Sequence, residues 1–329
     1  MSTNIFQSGD KFNESSPSLF PTRTICDVDG DLTETLWWSA DNKLNVKGET
    51  NLVLLMIPGN PGVIDYYTPF LSTIYDEYEK KIEIVGVSQL GHSHGPHHDS
   101  FIKLWSLQDQ INHKIKFFDI LCEKFAIVDG EKKIYPRFIL CGHSMGAYIC
   151  SQVLKARPNH IEQVYLLFPT LQHIAKTPNA LLMAWSFYEF PRNIISMLIH
   201  SIRTVLGPNM FKSLIRLITA QSEPHLSTTA DRLLHWHVVQ NTMYMSETEM
   251  TTIHELDDKF FREHLNKFTF YFGKTDKWAP LEHYHDMIQR FPNGKIFLCE
   301  IGMEHAFVLK HSEVMGKKVA QWIKDLPTI

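Results

Sequence analysis

Apolar residues in this chain fall mostly into short unbroken runs separated by amphipathic stretches. Runs at 51–57, 82–88, 138–141, 163–168, 267–272 and 295–300 are too short for helices and lack polar alternation. They predict strands buried on both faces, as in a parallel sheet. Between them, 68–80, 107–124, 147–155 and 281–290 repeat apolar positions at helical spacing. Strands alternating with helices imply a mostly parallel sheet covered on both sides. Shorter pieces at 23–28, 34–38 and 44–47 predict an opening antiparallel meander. No internal repeat interrupts this order.

The alternation breaks between 168 and 267, which predicts a helical cap or lid inserted at 171–266. Residues 180–188 are strongly apolar, Glu189-Phe190-Pro191-Arg192 interrupts them, and 194–199 resumes the apolar character. Residues 211–218 add a basic amphipathic segment. Neither apolar half approaches the ~20 residues that span a bilayer. Two compatible readings follow. One is a hairpin over 180–218 that dips into a lipid monolayer, with Arg203, Lys212 and Arg216 toward headgroups. The other is a soluble lid over the active site.

Composition narrows the class. At 329 residues, 22–329 can form one domain around a large core. A formal charge of −4 with nearly balanced acids and bases argues against a nucleic-acid partner. Cys26, Cys122, Cys141, Cys150 and Cys299 have no metal-ligand spacing and read as reduced thiols of a cytosolic setting. Residues 1–21 are polar, lack an apolar signal core, and read as a disordered tail.

Candidate chemistry centres on Gly142-His143-Ser144-Met145-Gly146, a G-x-S-x-G pentapeptide between a strand-like and a helix-like run. In that setting the turn lifts Ser144 as a nucleophile, with Gly142, His143 and Gly146 forming the elbow. The Met145 backbone N–H then points at a developing oxyanion. The α/β-hydrolase arrangement places an acid and then a histidine further along the chain. Asp276, after the strand at 267–272, and His305, after the strand at 295–300, fill those places. Glu304 is the weaker acid because neighbours in an extended loop point apart; Asp257 and Asp258 lack a preceding strand. The stiff turn Pro58-Gly59-Asn60-Pro61-Gly62 predicts the second oxyanion donor, the Asn60 N–H, since Pro61 has none.

The histidine-rich segment 91–98 reads as a loop rimming the pocket and not as a metal site, so neither metal nor organic cofactor is expected. Trp185, Trp236 and Trp278 could line a lipid pocket, with core packing the default. Trp278 reads as packing behind the acid.

Several of these stretches resemble the lipid droplet-associated hydrolase family. They are Ile57-Pro58-Gly59-Asn60-Pro61-Gly62 with Tyr66-Tyr67-x-Pro69-Phe70, the Ser144 pentapeptide, and Leu167-Phe168-Pro169-Thr170. Phe270-Tyr271-Phe272-Gly273-x-x-Asp276-x-Trp278-x-Pro280 and His305-Ala306-Phe307 complete the set. The resemblance implies an α/β-hydrolase fold, with Ser144, Asp276 and His305 at the family's triad positions. It further implies a serine esterase of sterol esters or acylglycerols on lipid droplets and the cytosolic face of the endoplasmic reticulum. No obligate protein partner is implied. A transacylase using the same triad, or a droplet surface protein with little turnover, stays open.

Overall fold

The computed structural model describes residues 6–7, 21–41, 52–92 and 103–326. Its strands are β1 (Phe6–Gln7), β2 (Thr22–Val28), β3 (Asp31–Trp38), β4 (Leu52–Ile57), β5 (Glu83–Val87), β6 (Ile127–Asp129), β7 (Lys132–Ile134), β8 (Arg137–His143), β9 (Ile161–Leu167), β10 (Phe268–Phe272) and β11 (Lys295–Leu298). The helices are α1 (Thr68–Glu77), α2 (Leu107–Lys124), α3 (Met145–Ala156), α4 (Pro178–Phe187), α5 (Glu189–Thr219), α6 (His225–Ser227), α7 (Trp236–Thr252), α8 (Asp258–Glu263), α9 (Leu281–Arg290) and α10 (Ser312–Lys324).

One sheet runs in the order β1-β2-β3-β5-β4-β8-β9-β10-β11. Pairing is antiparallel through β3–β5 and parallel from β5–β4 onward. Successive residues of the central strands pack into opposite layers. Val53, Leu55 and Ile57 of β4 join α2 and α3 on one face. Leu52, Leu54 and Met56 join α1 and α10 on the other. This two-sided burial is why the strands read as continuous apolar runs. The fold is α/β-hydrolase, as expected from the sequence.

α2 and α9 have the expected bounds. A capping box fixes the start of α2: Ser106 Oγ accepts from the Asp109 N–H, and Asp109 Oδ2 accepts from the Ser106 N–H. β6 and β7 pair as a small antiparallel hairpin, whose three-residue strands carry no readable period in the sequence. The predicted piece at 44–47 lies outside the described residues. Within the stretch read as a tail, Phe6–Gln7 pairs with β2. All five cysteines are buried and free.

The insertion folds as α4–α8. The break in its apolar stretch falls at Tyr188, in extended conformation (φ −60°, ψ 153°), not at Pro191. Pro191 sits in the first turn of α5, where a missing N–H removes no helical bond. A second break divides α5 at Gly207 (φ 70°, ψ 171°), a conformation open to glycine, followed by Pro208. α5 buries only Arg192, Ser196, Phe211 and Ile215. Leu181, Leu182, Trp185, Phe190, Val205 and Leu217 are instead 64–83% exposed. No helix among the described residues is long and apolar enough to cross a membrane.

Of the three cations expected to face headgroups, two turn inward. The Arg203 guanidinium donates to the Ala230 carbonyl and lies over the Phe211 ring. Lys212 bonds Ser227 and pairs with Glu223. Arg216 is exposed.

Candidate active site

β8 ends at His143 and α3 begins at Met145, leaving Ser144 at the corner with φ 54° and ψ −124°. A non-glycine residue there is strained by roughly 1–3 kcal/mol, and its surroundings must hold it. The Ser144 N–H donates to the Leu167 carbonyl at 2.9 Å. A Cβ on Gly146 would overlap the Ile57 carbonyl oxygen, and one on Gly142 would lie 2.5 Å from the Gly146 carbonyl oxygen. Both glycines are therefore required by close backbone approach.

Ser144 Oγ lies 2.8 Å from His305 Nε2. On the other side of that ring, Nδ1 lies 2.6 Å from Asp276 Oδ2. The other Asp276 oxygen accepts from the Trp278 N–H at 2.7 Å and the Ala279 N–H at 3.0 Å. Burial pushes the Asp276 carboxyl up, but His305 and the two N–H donors outweigh it and hold it below its usual range. A carboxylate kept ionised in this way fixes the imidazole with Nδ1 protonated and Nε2 facing the serine.

The 58–62 turn abuts the elbow so closely that a Cβ on Gly59 would lie 2.6 Å from Ser144 Cβ. Gln89 Nε2 donates to the Pro58 carbonyl at 2.9 Å, and His92 Nδ1 lies 2.6 Å from the Pro61 carbonyl oxygen. His92 and Gly91 are the only described residues of the histidine-rich segment. Met145, first in α3, has an N–H with no intrahelical acceptor.

A second chain of bonds ties this turn to the histidine loop. The Gly59 N–H donates to the Tyr67 hydroxyl at 3.1 Å, and that hydroxyl lies 2.6 Å from His143 Nδ1. His143 Nε2 lies 2.9 Å from the His305 carbonyl oxygen. The carbonyl can only accept, so Nε2 carries the proton and Nδ1 accepts from Tyr67. Burial, with the nearby His305, pushes the His143 pKa down to about 3, which keeps this tautomer neutral.

Above Ser144 and His305 lies a cavity of about 430 Å³. Its floor includes Asn60, Ile174 and Trp278; α4, α5 and α7 form its roof through residues such as Met183, Phe187, Ile195, Val239 and Met243. The wall is largely apolar, apart from a polar strip of α7 at Thr242, Ser246 and Glu249.

Residues 50–308 match the model of the family described as lipid-droplet associated hydrolase. The chain belongs to this family. It is 31% identical to the lipid droplet-associated hydrolase of Mus musculus, over 88% of this chain and 90% of the mouse protein. Identity to that of Dictyostelium discoideum is 30%, over 83% and 88%. Among solved structures, an epoxide hydrolase of Vigna radiata superposes with a TM-score of 0.61 at 13% identity, covering 94% of this chain and all of that one. A serine hydrolase of Cycloclasticus zankles gives 0.58 at 14%, over 92% and 98%.

The structure brings Ser144, Asp276, His305, Met145 and the Asn60 turn together. Three other acids stand apart: Glu304 pairs with Lys310, Asp257 with Lys155 and Asp258 with Arg290. Trp278 corrects an expectation, since it lies on the cavity wall and does not pack only behind Asp276. Trp185 is exposed on the roof, while Trp236 meets His200. Sequence reasoning missed Tyr67 and the linking role of His143. It also missed the polar strip, which in one dimension resembles a solvent face.

Proposed function

We propose that this chain hydrolyses carboxylic esters of lipids at the lipid droplet surface, through an acyl-enzyme. The observation that carries this reading is the hydrogen-bonded series Ser144–His305–Asp276 beneath an apolar cavity. His305 Nε2 takes the Ser144 proton as Oγ attacks the ester carbonyl. The Met145 and Asn60 N–H groups hold the oxyanion, and Asp276 stabilises the imidazolium. The tetrahedral intermediate collapses, the alkoxide leaves with the proton from His305, and the acyl group stays on Ser144. Water then attacks with His305 as base, releasing the acid and restoring the serine.

The exposed apolar side chains of α4 and α5 are the proposed contact with the droplet monolayer and the cytosolic face of the endoplasmic reticulum. They belong to the same helices that roof the cavity, so a lipid has a short path from surface to serine. Family membership supports the lipid assignment.

Labelling with a fluorophosphonate serine probe tests the chemistry, wild type against Ser144→Ala, alongside turnover of an emulsified ester. Labelling and turnover that both vanish in the variant are expected. A folded wild type that neither labels nor turns over in the presence of lipid overturns the reading and leaves a surface or scaffolding role.

A further inference from the structure

The polar strip of α7 has no use in the mechanism above, yet it lines the same cavity as Ser144 and His305, with Glu249 buried and Thr242 and Ser246 half-buried. Thr242, Ser246 and Glu249 follow one another at i, i+4 and i+7, and so share one face of the helix. That face meets the side chain of Asn60, the residue proposed to supply an oxyanion N–H. Asn60 Nδ2 lies 2.9 Å from the Thr242 carbonyl oxygen, 2.6 Å from Ser246 Oγ and 3.3 Å from Glu249 Oε1. The Thr242 carbonyl accepts only, which fixes the amide with its NH₂ group toward α7.

Two polar atoms of this cluster are buried without a hydrogen-bond partner among the described residues: Asn60 Oδ1 and Thr242 Oγ1. Glu249 is only 5% exposed, and no cation pairs with it among the described residues. Burial pushes its carboxyl up to about 8 against the Asn60 hydrogen bond, so at neutral pH it is largely a protonated acid that both donates and accepts. A wholly apolar guest would offer Asn60 Oδ1 and Thr242 Oγ1 no partner, and native interiors avoid unpaired buried polar atoms.

We infer that Thr242, Ser246 and Glu249, with the Asn60 side chain, form a subsite for an alcoholic hydroxyl of the substrate. A hydroxyl within a few bonds of the scissile ester would lie beside the oxyanion turn. Mono- and diacylglycerols carry one there; triacylglycerols and sterol esters do not. The preferred substrate of this site is accordingly a partial acylglycerol. This rests on the esterase reading above and narrows it.

The test compares kcat/KM for 1-monooleoylglycerol and methyl oleate, which share an acyl chain and differ in the hydroxyls of the alcohol. Wild type is expected to favour the glycerol ester by about tenfold or more, roughly the worth of one or two good hydrogen bonds. Glu249→Leu and Thr242→Val should each bring that ratio toward one, while Glu249→Gln, which keeps a neutral hydrogen-bonding group, should preserve it. A ratio near one in wild type, or an equal fall on both esters in the variants, overturns the subsite. Methyl 12-hydroxystearate set against methyl stearate separates the alternative source. A preference there, with none for the glycerol ester, would move the hydroxyl to the acyl chain and overturn the acylglycerol assignment. Ser144-dependent hydrolysis of methyl oleate sustains the esterase reading whichever way the ratio falls. No hydrolysis of any ester overturns both.

Discussion

The sheet and the cap of this protein treat apolar residues in opposite ways. In β4, β8 and β10 almost every side chain is enclosed, shared out strictly between the two helical layers. In α5, 31 residues long, four are enclosed, and large apolar side chains of α4 and α5, from Leu181 to Ile218, stand in the open. The sheet supplies its own apolar environment, and the outer face of the cap does not. In the first region packing holds Ser144 at φ 54° and His143 in its neutral form. The proposed contact with something apolar outside the chain belongs to the second.

The comparison breaks most directly at Ser144. Ser144→Ala is expected to lower ester turnover by roughly 10⁴- to 10⁶-fold while leaving binding to phospholipid-coated triolein droplets unchanged in a flotation assay. Lost binding would mean that the two regions are not separable. The converse change, Trp185→Ser with Phe190→Ser and Leu217→Ser, should weaken droplet binding on the order of a thousandfold. Each surface substitution should alter folding stability by no more than about 0.5 kcal/mol, read from denaturant midpoints. A large loss of stability would place those side chains in an internal contact instead.

The inner face of the cap should behave like the sheet, and pH exposes this. The folded chain keeps Glu249 protonated up to about pH 8, whereas its ordinary carboxyl value is 4.5. Wild-type stability therefore falls as pH rises between those values, by at most about 1.4 kcal/mol per unit, and is fully present below them. Thermal melts of Glu249→Gln should lack that component, so the variant gains on wild type toward pH 8. A constant difference across the window would show that Glu249 ionises normally. The smallest expected effect is that of Tyr67→Phe, which leaves the Gly59 N–H and His143 Nδ1 unpaired. It should cost about 1–3 kcal/mol of stability and lower kcat about tenfold, with KM little changed. A change in KM alone would remove Tyr67 from the positioning of the turn and histidine loop.

Much of the sheet was legible in the sequence because burial on both faces writes itself as unbroken apolar runs. The convergence of Ser144, Asp276 and His305 was legible because each follows its own strand. The roof was harder. Pro191 looked like an interruption, yet a proline in a first helical turn interrupts nothing, and the break passed to Tyr188. Ser246, Glu247, Thr248 and Glu249 have the composition of a solvent-facing stretch. The meeting of Ser246 and Glu249 with Asn60 spans more than 180 positions, so only the assembled fold brings them together. Arg203 and Lys212 looked free for headgroups for the same reason: their partners at Ala230 and Glu223 come from the chain that follows α5.

Met183 is 41% exposed on α4 and also lines the cavity, so the wall between solvent and Ser144 is about one helix thick, roughly 10 Å. The consequence is thermodynamic. A lipid that reached the serine through water would expose each methylene at about 0.8 kcal/mol, some 12 kcal/mol for a chain of about sixteen carbons. A chain drawn through a wall this thin, from a lipid phase resting on its outer face, exchanges one apolar surrounding for another and leaves most of that penalty out of the barrier.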